Sequence, residues 1–139
     1  MTKTLISACL LGKKCRYDGK GKLNSKILSI YVQENLVPVC PEQLGGLPTP
    51  RIPAEQAGDK VYTQNGDDIT ANFEKGAQIA LEIALAQGCE EAILKAKSPS
   101  CGCGKVYDGN FTGTLIEGNG VFAQKLLDNG FSVKTEEDF

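Results

Sequence analysis

Residues 70–95 read TANFEKGAQIALEIALAQGCEEAILK and contain the clearest structural signal in the chain. Apolar residues repeat at helical spacing between positions 73 and 84, with Thr70 as a predicted cap and Gly88 as a predicted end of the helix. The short, mostly apolar run at residues 92–95 follows and predicts a strand buried on both faces of a sheet. A helix that leads directly into a buried strand is the repeating unit of an α/β fold.

The rest of the chain continues this alternation. Further short apolar runs predict three strands, at residues 5–8, 36–39 and 131–133. Further amphipathic stretches predict two helices, one at residues 26–34 with Ser25 as its cap and one at 121–128 with Leu126 and Leu127 facing inward. The pattern predicts one α/β domain over residues 1–139, an open, parallel, doubly wound, Rossmann-like sheet of about four strands with helices on both faces.

Composition excludes several classes of protein. The net charge of −2 shows no basic excess, so nucleic acid is an improbable partner, although tRNA is not excluded. The chain has no apolar run long enough to span a membrane and no signal peptide, which predicts a cytoplasmic protein. It has six cysteines and no histidine, and a reducing compartment favours metal binding or thiol chemistry over disulfides. Oligomeric state is not predictable from these features.

Three cysteines follow three different predicted strands. Cys9 and Cys40 come directly after the first and second strands, and Cys101 follows the third by a few residues. Since the carboxyl ends of parallel strands share one edge, these thiols are expected to converge there, within reach of Cys15. The chain lacks the C-x2-C pairs of zinc knuckles and ferredoxins. An iron–sulfur or other metal site, thiol or persulfide chemistry, and inert buried cysteines therefore all stay open.

The remaining two cysteines and one irregular segment have other predicted roles. Inert packing is predicted for Cys89, and Cys103 is a spare thiol or an alternative ligand. The proline-rich, irregular segment 40–69 suits the wall of a site, with only a short strand expected near residues 61–62.

Polar residues beside the cysteines are candidates for substrate contacts or proton transfer. They are Glu42 for proton transfer, Ser98 and Ser100 as hydroxyl donors, and Arg16, Tyr17 and Arg51 for recognition of a base or an anion.

Five sequence blocks together resemble the DUF523 family. They are residues 7–12 (SACLLG), 15–19 (CRYDG), 39–51 (VCPEQLGGLPTPR), 97–102 (KSPSCG) and 116–121 (IEGNGV). The resemblance covers nearly the whole chain. The family includes thiouracil desulfidases, which convert thiolated uracils to uracil and release sulfide without net redox change.

The resemblance implies a 4Fe-4S cluster held by only three cysteines, Cys9, Cys40 and Cys101, with Cys15 as the main rival. The iron without a cysteine ligand would bind the substrate's sulfur. By the same resemblance Glu42 transfers protons, and Ser100 or Ser98 orients substrate or water. The implied substrate is a small thiolated pyrimidine, as a free base, nucleoside or nucleotide, with 4-thiouridine in tRNA as another option. A persulfide-carrying sulfurtransferase and a structural metal or cluster module are the competing functions.

Overall fold

A parallel four-stranded sheet forms the centre of the protein. The computed structural model describes residues 3–139. In spatial order the strands are β2 (Leu36–Val39), β1 (Thr4–Ser7), β5 (Glu91–Leu94) and β8 (Ser132–Thr135). All three pairings between neighbours are parallel, which confirms the predicted sheet; only the strand ends differ, by one or two residues.

In the part of the chain that the structure describes, four α-helices connect and flank the strands. They are α1 (Ser25–Ile30), α2 (Pro41–Leu44), α3 (Thr70–Ala86) and α4 (Val121–Asp128). Short 3₁₀ helices cover Ala8–Leu11, Gln33–Asn35 and Glu136–Asp138. Within residues 3–139, no helix has the combination of length and apolar character that crossing a membrane requires.

The helices cover both faces of the sheet, as predicted. On one face Leu5 and Leu94 are buried against α3 and α4, whose Phe73 and Phe122 are almost completely excluded from solvent. On the other face Ile6 packs in a second apolar cluster with Ile27 of α1. Neighbouring strand residues point to opposite faces, so a continuously apolar strand such as β1 supplies both cores.

Two antiparallel hairpins extend beyond the predicted elements. The strands β3 (Ala54–Ala57) and β4 (Lys60–Thr63) pair with each other, as do β6 (Lys105–Tyr107) and β7 (Leu115–Glu117). Of these four strands, the sequence predicted only the one around residues 61–62. The others escaped prediction because they are short and have partly polar, half-exposed sequences without a clear period-2 pattern.

Local hydrogen bonds correct several predicted helix details. The first helix ends at Ile30 instead of residue 34, and Asn24 rather than Ser25 caps it by accepting a 3.1 Å hydrogen bond from the Ile27 amide. The hydroxyl of Thr70 does not cap α3, because it accepts from the Val61 amide at 2.9 Å and ties the helix to β4. In α4, Leu127 was wrongly predicted to face inward and is exposed.

Helix α2 lies against α3 with backbone in contact with backbone. A Cβ atom on Gly76 of α3 would collide with the carbonyl oxygen of Pro41, and one on Gly45 would collide with the carbonyl of Asn72. Only glycine permits this approach at these two positions. The contact fixes the position of α2, which begins directly after Cys40 and carries Glu42.

Candidate functional site

A cavity of about 560 Å³ opens at the carboxyl-terminal edge of the parallel sheet. The chain passes from β1 to the edge strand β2 and then returns to the other side of β1 with β5. Doubly wound sheets bind ligands where the strand order reverses in this way. The side chains of Cys9, Cys40 and Cys101 all line the cavity.

Each of these cysteines is positioned by the element that follows its strand. Cys9 lies in the 3₁₀ turn after β1, Cys40 is the cap residue of α2, and Cys101 lies in the loop after β5. Cys15 also lines the cavity, and its carbonyl oxygen accepts a hydrogen bond from the Cys40 thiol at 3.7 Å. All of them carry free thiols, so four sulfur atoms from three segments of the chain meet at one site.

Three thiols of the cavity, those of Cys15, Cys40 and Cys101, have raised pKa values. Burial raises the pKa of Cys101 to about 12, against the opposing effect of the Ser7 hydroxyl. For Cys15, a hydrogen bond with Cys40 lowers the pKa. The neighbouring Cys9 thiol and burial together have the larger, opposite effect, so that the pKa rises to about 11. The pKa of Cys40 is also raised, chiefly by its bond with Cys15 and by burial. Binding of a thiophilic metal must therefore displace protons from these thiols.

The donor set fits an iron–sulfur cluster. Thiolates are the soft ligands that such clusters use, and the chain offers no imidazole to replace them. Within the described part of the chain, no three cysteine or carboxylate side chains converge closely enough to hold a single metal ion. Ligands spread around a roomy cavity suit a group with several irons better than one ion.

The remaining two cysteines lie away from the cavity. Cys89 is buried in the core beneath α3, in agreement with the prediction of inert packing. Cys103 is half-buried and packs against the same core. Burial raises the pKa of both thiols.

Glu42 and Arg51 form an ion pair in the wall of the cavity. Arg51 donates to Glu42 Oε2 through Nε at 3.0 Å and through Nη2 at 2.5 Å. Its other N–H groups donate to the carbonyls of Cys15 and Pro48 and to the hydroxyl of Thr49. All five guanidinium donors are thus engaged by the protein. Arg51, which was predicted to contact the substrate, uses these bonds to hold Glu42 and two loops.

The two candidate serines occupy different positions. Ser98 lines the cavity, and its hydroxyl oxygen accepts 3.1 Å hydrogen bonds from the amides of Ser100 and Cys101. Its own proton is left to donate, since a hydroxyl has one donor and two acceptor positions. Ser100 is completely buried behind the cavity wall and adjoins the Cys101 thiol, but its hydroxyl forms no well-aligned hydrogen bond within residues 3–139.

Arg16 and Tyr17 lie at the rim of the cavity. The Arg16 guanidinium carbon is 5.8 Å from the centre of the Tyr17 ring, and its nitrogen is 3.6 Å from the Asp18 carboxylate. Tyr17 is 43 % exposed, while its carbonyl oxygen accepts a 2.7 Å bond from the Arg51 amide. The structure therefore brings this cation and aromatic ring to the entrance of the site.

Several cavity residues were missed from the sequence. Lys95 follows β5 directly and Lys97 comes two residues later, and the position of a charged residue at a strand's carboxyl end was the signal that could have identified them. Lys95 forms a 2.7 Å ion pair with Glu136, and Lys97 has a positive φ of 67°. Glu55 and Phe111 come from the parts of the two hairpins that the sequence did not predict.

Comparison with known proteins gives a consistent result. Residues 4–138 match the model of the 2-thiouracil desulfurase family. A Bacillus subtilis (strain 168) protein, the uncharacterized protein YbbK, is 39 % identical over 144 aligned positions that cover 96 % of this chain and 95 % of YbbK. The solved structure of the 4Fe-4S-dependent thiouracil desulfidase TudS superimposes with a TM-score of 0.94 at 42 % identity, covering 100 % of this chain and 93 % of TudS.

Proposed function

We propose, since the chain belongs to the 2-thiouracil desulfurase family, that it removes the sulfur of a small thiolated uracil with the help of a 4Fe-4S cluster. Water supplies the oxygen, so that a thiocarbonyl becomes a carbonyl and hydrogen sulfide leaves without net oxidation or reduction. The observation that carries this proposal is the convergence of Cys9, Cys40 and Cys101 on one cavity at the point where the strand order reverses.

These three cysteines are the proposed ligands, because each one follows a strand of the central sheet. Cys15 lies in the same cavity but is placed by the loop that Arg51 ties down through its carbonyl. When bound with one iron free of cysteine, such a cluster supplies a thiophilic Lewis acid for the sulfur of the substrate. The orphaned Ser100 hydroxyl beside Cys101 is then available to donate to the ligating thiolate.

Glu42 is the proposed proton carrier. Both hydrogen bonds from Arg51 reach Oε2, and Oε1 accepts none from the described residues. The carboxylate lines the cavity, so Oε1 is the atom that can exchange a proton with the pyrimidine or with the attacking water. Arg51 holds this carboxylate in one orientation and acts through it.

Ser98 is the proposed hydroxyl that orients substrate or water. Its acceptor positions are filled by the loop, which fixes the oxygen and directs the remaining proton. Arg16 and Tyr17 also line the cavity and are proposed to contact the substrate. The net charge of −2 favours a small substrate over tRNA.

Anaerobic purification tests the proposal most directly. We expect about four irons and about four acid-labile sulfides per chain, together with loss of the thiocarbonyl absorbance of 2-thiouracil or 4-thiouracil and release of sulfide. Zinc in place of iron without turnover would support a structural metal module. Turnover by metal-free protein would contradict the role of the cluster and support a reaction at a cysteine thiol instead.

Cysteine variants separate ligands from bystanders. Alanine at Cys9, Cys40 or Cys101 is expected to lower the iron content to a small fraction of the wild-type value and to abolish turnover. Cys103→Ala is the matched control, since it removes a half-buried thiol away from the cavity and should retain iron. Full iron content in any of the three ligand variants would contradict the ligand assignment.

A further inference from the structure

The connection between β6 and β7 forms one side of the cavity. This tip loop, residues 108–114, places Phe111 and Gly113 in the cavity lining. Phe111 has a φ of 57°, a left-handed conformation that is rare for a bulky residue. Backbone strain of this kind persists where surrounding contacts enforce it, and it concentrates at functional sites.

The carboxylate of Glu55 supplies the enforcing contacts. Its Oε1 accepts hydrogen bonds from the amide of Gly109 at 3.0 Å and from the amide of Phe111 at 3.2 Å. Gly109 in turn lies so close to β3 that a Cβ atom there would be 2.6 Å from the carbonyl oxygen of Gln56. Glu55, a side chain of the hairpin β3–β4, thus holds the tip loop of the hairpin β6–β7 at the side of the cavity.

We infer that Glu55 is a positioning residue that holds the Phe111 ring as the surface on which the pyrimidine ring stacks. The stacking role rests on the proposed function, because that function supplies the pyrimidine substrate. The hydrogen bonds between Glu55 and the tip loop are independent of it. Tyr107 also lines the cavity, so Phe111 and Tyr107 together give it an aromatic lining suited to a flat, unsaturated ring. Glu55 acts through the tip loop, because its bonded oxygen is already occupied by two amides.

Hydrogen exchange tests the contact without any turnover. In the wild-type holoenzyme the amides of Gly109 and Phe111 should be protected, and Glu55→Ala should raise their exchange rates at least tenfold. Glu55→Gln keeps a carbonyl acceptor and should retain most of the protection. Asp59→Ala is the matched control, because this carboxylate lies exposed in the turn of the same hairpin as Glu55. Unprotected amides in the wild type would overturn the contact even if Glu55→Ala failed to fold.

Steady-state kinetics test the stacking role. Phe111→Leu keeps an apolar side chain but removes the ring, and it should raise KM for thiouracil about tenfold, as expected for the loss of one stacked base. Its kcat should change less than threefold, and Glu55→Ala should give the same KM increase. An unchanged KM in Phe111→Leu would overturn the stacking role. Absence of turnover in the wild-type holoenzyme would instead overturn the proposed function and the stacking role with it, while the exchange rates would still decide the contact.

Discussion

Arg51 forms two hydrogen bonds to a single oxygen of Glu42, since Nε and Nη2 both donate to Oε2. The two side chains are only 8 % and 16 % exposed, so solvent screens their attraction little. The same guanidinium also holds the carbonyl of Cys15. One arginine therefore connects the loop after β1 with the helix after β2, and it sets the orientation of the carboxylate between them.

Arg51→Lys should impair the enzyme although the charge is kept. An ammonium group cannot reproduce five donors in a planar fork, so Glu42 loses its fixed orientation and the Cys15 carbonyl loses a donor. We expect kcat to fall roughly tenfold to hundredfold, with a loss of about 2 kcal/mol in the free energy of unfolding. Urea denaturation and steady-state rates measure the two effects. Arg16→Lys at the rim is the stability control, and an equal loss there would contradict the special role of Arg51.

Ser98→Ala and Ser100→Ala should affect different properties, the first the kinetics and the second the spectrum of the cluster. Removal of the Ser98 hydroxyl takes away two hydrogen bonds in the loop and a donor in the cavity, so kcat/KM should fall at least tenfold. Removal of the buried Ser100 hydroxyl should leave KM unchanged and shift the absorbance spectrum of the cluster that Cys101 is proposed to ligate. Kinetics and absorbance spectra of both variants provide the comparison. A higher KM in Ser100→Ala alone would reverse the assignment.

Gly76→Ala should destabilise the protein, although alanine normally favours helices over glycine. The added methyl group meets the carbonyl of Pro41, which forces α2 away from α3 and moves Cys40 and Glu42. We expect a loss of about 3 kcal/mol, near the upper end for overpacking. Gly88→Ala is the control, since its φ of 73° costs about 1 kcal/mol without any collision. Equal losses in thermal or urea denaturation would show that the contact between the helices is unimportant.

Asp68→Asn should remove a pH-dependent part of the stability. Hydrogen bonds from the hydroxyl and amide of Thr70 lower the pKa of Asp68, so the folded protein prefers the carboxylate. This contribution is complete above the pKa of the unfolded chain, about 4, and disappears as the pH falls through the lower pKa of the folded state. The urea midpoint of the wild type should therefore exceed that of the variant near neutrality, and the two should approach each other in acid. Asp59→Asn is the control, because it removes an exposed carboxylate and leaves the hydrogen bonds between Asp68 and Thr70 intact.

The central sheet was predictable because its strands and helices are encoded by patterns of neighbouring residues in the sequence. Continuously apolar strands such as β1 and β5 and the strong amphipathic repeat of α3 identify a buried parallel sheet without knowledge of any contact. The convergence of Cys9, Cys40 and Cys101 followed from topology alone, since parallel strands end at one edge. The structure confirms this convergence.

The two hairpins and the partners of individual side chains were not predictable in this way. Arg51 was expected to meet an anion in the site, but the distances to Glu42 and to the Cys15 carbonyl depend on how three loops fold together. Ser98 and Ser100 have equivalent places in the sequence, and only the turn of the loop separates them. Glu55 and Phe111 are 56 residues apart and meet because two hairpins pack side by side.

The two apolar cores on the faces of the sheet bear on how the enzyme is maintained in a cell. Fully buried residues such as Leu5, Ile6 and Leu94 pack among carbon atoms, and their contacts require no metal. The scaffold is thus expected to survive damage to its iron by oxygen. Insertion of a new cluster into the same cavity is then expected to restore the protein without synthesis of a new chain.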